Sequence, residues 1–204
     1  MQADRKAIDN TVALEKHALG TLQYIRASLD AASVLAVPGS AGITLGVVGI
    51  VAALLVSLPP LRPHWFSIWV IAGVAGFVSG SALMLHQARN HVVPVYRGPL
   101  RKFLMCLSPA LCAGAVLTWR LWEQELPDLV PGVWLLLYGC GAMAGSTMTN
   151  KPVAVMGALF MALGLIALLV PADFHNAILG LGFGGVHAAF GIFISGRQQN
   201  GLEG

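Results

Sequence analysis

His187 stands in the middle of an apolar run, Gly184-Gly185-Val186-His187-Ala188-Ala189-Phe190-Gly191, and is the most informative polar residue of the chain. An imidazole in hydrocarbon is costly unless paired. A histidine there is either a neutral packing group bonded to a neighbouring helix or part of a ligand site. Tyr138 and Ser108 lie in two other apolar runs and are the polar groups that could line such a site with it. Ser108 could act as a nucleophile only with a base beside it. Next to Pro109, a hydrogen bond back to its own helix is the simpler expectation. Ser146, Thr147, Thr149 and Asn150 close the run that holds Tyr138. No acidic residue falls well inside any apolar run, which argues against paired carboxylates and against a proton-driven pump of the usual kind. No enzyme activity is expected.

A transmembrane haem needs a second histidine at matching depth. His86 is only marginally placed, His91 lies beyond it, and His17, His64 and His175 fall outside the apolar runs, so no haem and no other cofactor is expected. No cluster has zinc-ligand spacing. Gly180, Gly182 and Gly185 match G-x-G-x-x-G, but the dinucleotide fingerprint needs a preceding strand in a βαβ unit. Here the glycines sit in an apolar helix, and the match is read as coincidence. Cys106, Cys112 and Cys140 all lie in apolar runs without a C-x-x-C and are expected to be reduced, packed residues.

These side chains are positioned by elements that composition identifies. Only 10% of the 204 residues are charged and 56% are hydrophobic, with a mean hydropathy of +0.74. A soluble domain carries roughly a quarter charged residues. The apolar blocks have the length that crosses about 30 Å of hydrocarbon. They run 39–58, 65–85, 103–119, 130–148, 153–170 and 178–194, with 34–37 a possible extension of the first across a break at Pro38-Gly39. The first 33 residues are polar, with Ile8, Val12, Leu19, Leu22, Ile25 and Leu29 at helical spacing among charged residues. The expected fold is an all-α transmembrane bundle of six spans over 34–196, preceded by an amphipathic N-terminal helix (1–33) and followed by a short tail (197–204). The arm would lie on the membrane or bundle surface, or dock a partner. It is too polar for a cleavable signal peptide, so the first span is expected to direct insertion.

Charge sets the orientation. Six spans put both termini on one side. Arg5, Lys6, Lys16, Arg26, Arg89, Arg97, Arg101, Lys102, Lys151 and Arg197 share that side, against Arg62 and Arg120 on the other. The bias places both termini in the cytoplasm. Trp65, Trp69, Trp119, Trp122 and Trp134 gather at the opposite ends of the spans, where indole rings favour the interface. The sequence pI near 9.0 is thereby explained without nucleic acid.

Glycine pairs four apart, Gly42/Gly46, Gly76/Gly80, Gly141/Gly145 and Gly180/Gly184, make flat strips for close helix packing, within the bundle or between copies in a homo-oligomer. Val37-Pro38-Gly39 and Val130-Pro131-Gly132 open the first and fourth spans alike, as in an inverted repeat.

Several segments resemble one family of small polytopic bacterial membrane proteins to which no activity is attached. They are Arg101-Lys102-Phe103-Leu104, Ser108-Pro109-Ala110, Ala113-Gly114-Ala115-Val116-Leu117-Thr118, Pro131 through Gly139, Val155-Met156-Gly157 and Gly182 through His187, with Ile25-Arg26 and Val37-Pro38-Gly39 before the first span. The resemblance covers most of the chain and implies a shared fold in a bacterial inner membrane. Ser40 stands where the family pattern has an aromatic residue.

The leading expectation is a small carrier, or a ligand- or lipid-binding membrane protein, with its site between helices near His187, Tyr138 and Ser108. The alternative is a non-catalytic interaction protein whose arm contacts a cytoplasmic partner or a second subunit. A lipid-directed enzyme ranks third, for want of a base and nucleophile. Membrane lipids are the one certain contact of such a chain.

Overall fold

The computed structural model describes residues 20–22, 38–90, 99–146 and 151–200. The arm expected over 1–33 lies outside them apart from 20–22, which are helical. From Ala36 onward the chain forms one compact unit. It is an all-α bundle, with six helical stretches long and apolar enough to cross a membrane.

Helix α1 (Gly39–Ser57) begins where Pro38 is extended, its carbonyl accepting from the Ala41 amide at 3.0 Å. Pro38-Gly39 is thus a helix start. A 3-10 turn (Pro59–His64) leads into α2 (Trp65–Asn90). Helix α3 (Pro99–Glu123) runs through Pro109. A second 3-10 turn (Pro127–Leu129) precedes α4 (Val130–Ser146), which is followed by α5 (Lys151–Leu169). The last span joins a 3-10 turn (Ala172–Phe174), α6 (His175–Leu179), a π-helical segment (Gly180–Val186) and α7 (His187–Asn200). This sixth apolar stretch, Ala172–Arg197, starts earlier than the Ile178 expected from hydropathy. His175 therefore belongs to the span. It is buried, with Nε2 3.3 Å from the Val170 carbonyl.

Without a hydrophobic driving force between helices in lipid, close packing must hold the bundle together. Two antiparallel seams supply it. On α1, Gly42, Gly46 and Gly49 face Gly191, Ala188 and Phe183-Gly184 of the last span, so close that a Cβ on Gly46 would fall 2.6 Å from the Ala188 nitrogen. On α4, Gly132 and Gly139 face Gly164 and Gly157 of α5. Gly141 faces Leu107 and Ala110 of α3. These strips pack within the chain. Gly73, by contrast, has nothing within 4 Å of its Cβ position.

α1 packs on α2 and the last span, while α4 packs on α3 and α5. The first and fourth spans, which share the Val-Pro-Gly opening, are thus each packed against two others. The glycine seams are not equivalent between the halves, however. One joins the first and sixth spans, the other the fourth and fifth. A core of Leu107, Leu135, Ala142, Val153, Met156, Phe160, Ala167 and Leu179 fills the α3–α4–α5 side.

The outer surface is apolar. Val51 and Leu54 of α1, Ile71 and Val78 of α2, Val116 and Trp119 of α3 and Leu165 and Leu169 of α5 are all exposed, as helices surrounded by lipid require. Cys112 and Cys140 are exposed there too, so of the three free cysteines only Cys106 is partly packed. A thiol behaves as a small apolar group and needs no enclosure in hydrocarbon.

Candidate functional site

His187 is 2% exposed and lies midway along the last span. Its Nε2 is 2.7 Å from the Tyr138 hydroxyl of α4, and its Nδ1 is 3.2 Å from the Phe183 carbonyl. The carbonyl can only accept, so Nδ1 carries the proton. Nε2 then presents its lone pair to the Tyr138 hydroxyl, which donates to it. A neutral imidazole satisfies both contacts with no charge in a region that holds no carboxylate.

The π-helical segment prepares this geometry. The His187 amide bonds the Gly184 carbonyl, while its imidazole addresses Phe183 one residue further back. Three glycines of the segment let it pack closely against its neighbours. Gly180 sits against Ala53, Gly184 against Ile50 of α1, and Gly182 against Leu135 of α4 and Phe160 of α5. π turns of this kind recur where a helix is adapted to a function.

Aromatic rings surround the pair. The Tyr138 ring centroid is 4.8 Å from Phe160 and 5.3 Å from Phe183, and Phe160 is 5.0 Å from His187. Phe183 stacks on His187 and meets Trp69 of α2 at 6.2 Å. The tilted and edge-on contacts are the favourable ones for such rings.

The pair forms part of the wall of a cavity of about 430 Å³. Its walls come from every span. Gly73, Gly76 and Gly80 of α2 form one side, Leu104 and Leu111 of α3 another, and Trp134 and Phe183 flank Tyr138 and His187. No charged side chain lines it. α2 takes its packing from α1 and α3 from α4. At the tryptophan-rich end α2 and α3 meet through Phe66 and Trp122, whose ring centroids are 4.7 Å apart.

Ser108 is not brought to the pair. It is exposed on α3, does not line the cavity, and its hydroxyl reaches back to the Met105 carbonyl at 3.4 Å.

Two polar residues, Asn176 and Thr118, matter that hydropathy did not single out. Asn176 accepts from the Trp69 indole at 3.2 Å and donates to the Ala53 carbonyl and the Ser57 hydroxyl at 3.0 and 3.3 Å, joining α1, α2 and α6. Trp134 donates to the Thr118 hydroxyl at 2.8 Å, and that hydroxyl donates to the Gly114 carbonyl at 2.7 Å. Trp69 and Trp134 thus act as helix clamps beside the cavity, while Trp119 and Trp122 stay exposed as interfacial anchors do. An asparagine just inside an apolar stretch was the available signal for Asn176. Among the described residues no three His, Cys, Asp or Glu side chains gather as a metal site.

Comparison of the chain with protein-family models, with curated proteins and with solved structures finds no match.

Proposed function

We propose that this multi-pass membrane protein binds a small, neutral, mostly apolar molecule between its helices, as a carrier or a lipid-binding protein. The observation that supports it is the polar pair of Tyr138 and His187 at mid-depth in the wall of a cavity of about 430 Å³. That volume falls in the range of small-molecule sites, about 300–1,000 Å³, where apolar walls and a few placed polar groups are the rule. A pure packing histidine needs no such cavity beside it. The absence of charge on the walls favours a neutral ligand, since an ion there would lack a partner.

The membrane we assign is the bacterial inner membrane with both termini cytoplasmic. The family resemblance supports the former and the ten-to-two distribution of Lys and Arg the latter. In the structure, Gly39 at the start of α1 abuts Ser195 near the end of α7, so these two ends of the bundle share a side.

The test is to purify the protein in mild detergent and identify what co-purifies by native mass spectrometry, beside His187→Ala and Gly73→Phe. A bound molecule that is lost in both variants supports the site. A ligand-free wild type whose stability no added apolar compound changes overturns it.

A further inference from the structure

The cavity has a shape as well as a volume. Its lining on α2 extends from Trp65 to Met84, a length of about 28 Å at 1.5 Å per helical residue. A cleft of that length suits an elongated molecule such as a lipid chain. On the α2 wall Gly73 presents backbone where a side chain would narrow the cavity, while the Cβ positions of Gly76 and Gly80 face Leu45 of α1.

The polar pair limits what the chain can carry. Tyr138 donates to His187 Nε2, and the Nδ1 proton is held by the Phe183 carbonyl. A ligand carbonyl or ether can be bonded only if Tyr138 turns away, which strands the Nε2 lone pair in a buried site. A hydroxyl avoids that loss. It accepts from Tyr138 while donating to Nε2, or donates to the free lone pair of the Tyr138 oxygen, and every group stays satisfied. A carboxylate or phosphate would meet no cation on these walls. We infer that the cavity holds an elongated neutral lipid bearing a hydroxyl, an alcohol in chemical class, with the hydroxyl received by Tyr138 and His187 in its wall. This rests on the ligand-binding reading above and adds the class of ligand to it.

Binding of tritiated hexadecanol to the full chain in phosphatidylcholine nanodiscs tests it, with protein-free discs subtracted. Hexadecyl methyl ether and palmitate serve as competitors. The ether keeps the acceptor and loses the donor, and palmitate adds a charge. The alcohol should bind at least about tenfold more tightly than either competitor, the worth of one buried hydrogen bond. Tyr138→Phe combined with His187→Leu, which removes both polar partners, should reduce that preference to about twofold or less, and Ser108→Ala should leave it intact. Gly73→Phe, which places a ring in the cavity from a position with open space around it, should abolish binding of all three. If the ether or palmitate matches the alcohol while Gly73→Phe still abolishes binding, the cavity reading stands and the alcohol class is overturned. A preference that survives the double substitution overturns the class as well. If none of the three binds saturably, both readings fail.

Discussion

Gly139 on α4 and Gly157 on α5 point their Cβ positions at each other's carbonyl oxygens, at 2.6 and 2.8 Å. Any side chain at either place meets backbone, which cannot rotate away as a flexible side chain can. Gly132 and Gly164 repeat the relationship one heptad along, each 3.0 Å from the other's carbonyl. Gly139→Val should therefore destabilise the bundle by about 1–3 kcal/mol, the usual cost of overpacking. Gly73→Ala, with nothing within 4 Å, should stay within about 0.5 kcal/mol of wild type or gain slightly. Unfolding in mixed micelles of increasing dodecyl sulfate fraction measures both. A neutral Gly139→Val would mean that the seam is loose.

The proton on His187 has a defined place. Solid-state nitrogen NMR of the reconstituted protein should show one neutral histidine protonated on Nδ1, the less common tautomer in water. Tyr138→Phe should remove the hydrogen bond to Nε2 and shift that resonance. Leaving Nε2 unpaired should also cost about 1–3 kcal/mol. An Nε2-protonated ring in the wild type would contradict the assignment of donors made here.

The Asn176 amide ties Trp69, Ala53 and Ser57 together at one end of the bundle. Asn176→Ala should cost about 1–3 kcal/mol, since it orphans the Trp69 indole N–H within an apolar span. Trp134→Phe, which removes a single interhelical bond to Thr118, should cost about 0.6 kcal/mol, the average for such bonds in membrane bundles. A larger penalty for Trp134→Phe than for Asn176→Ala, in the same unfolding assay, would reverse this ranking.

Orientation is testable in cells. A cysteine placed at Glu125, in the turn between α3 and α4, should react with a membrane-impermeant maleimide added outside. One placed at Gly196, near the end of α7, should react only after the membrane is permeabilised. The opposite pattern would invert the topology drawn from the Lys and Arg distribution.

The spans, their approximate limits and the interest of His187 are legible in the chain itself, because each follows from the cost of placing polar groups in hydrocarbon. Tyr138 is legible for the same reason. Which way a residue faces is not. In a soluble helix the apolar stripe marks the buried side. Here the lipid-facing and protein-facing sides are both apolar, so periodicity carries almost no directional information. Ser108 and Tyr138 look equivalent along the chain, and packing alone turns Ser108 outward and Tyr138 toward His187. Cys112 and Cys140 look packed and are exposed for the same reason.

The remaining decisions belong to contacts between distant segments. Tyr138 and His187 are 49 residues apart, and no local pattern announces that they meet. The π-helical turn before His187 exists because Gly180, Gly182 and Gly184 fit against α1 on one side and α4 and α5 on the other. The glycines are plain in the sequence, but the shape they permit depends on the neighbours they touch. The chain by itself determined that there are six long apolar helices with an imidazole, His187, in the middle of the last. Only the tertiary structure decided that this imidazole is bonded to a phenol in the wall of a cavity, because that outcome rests on how closely particular backbones can approach.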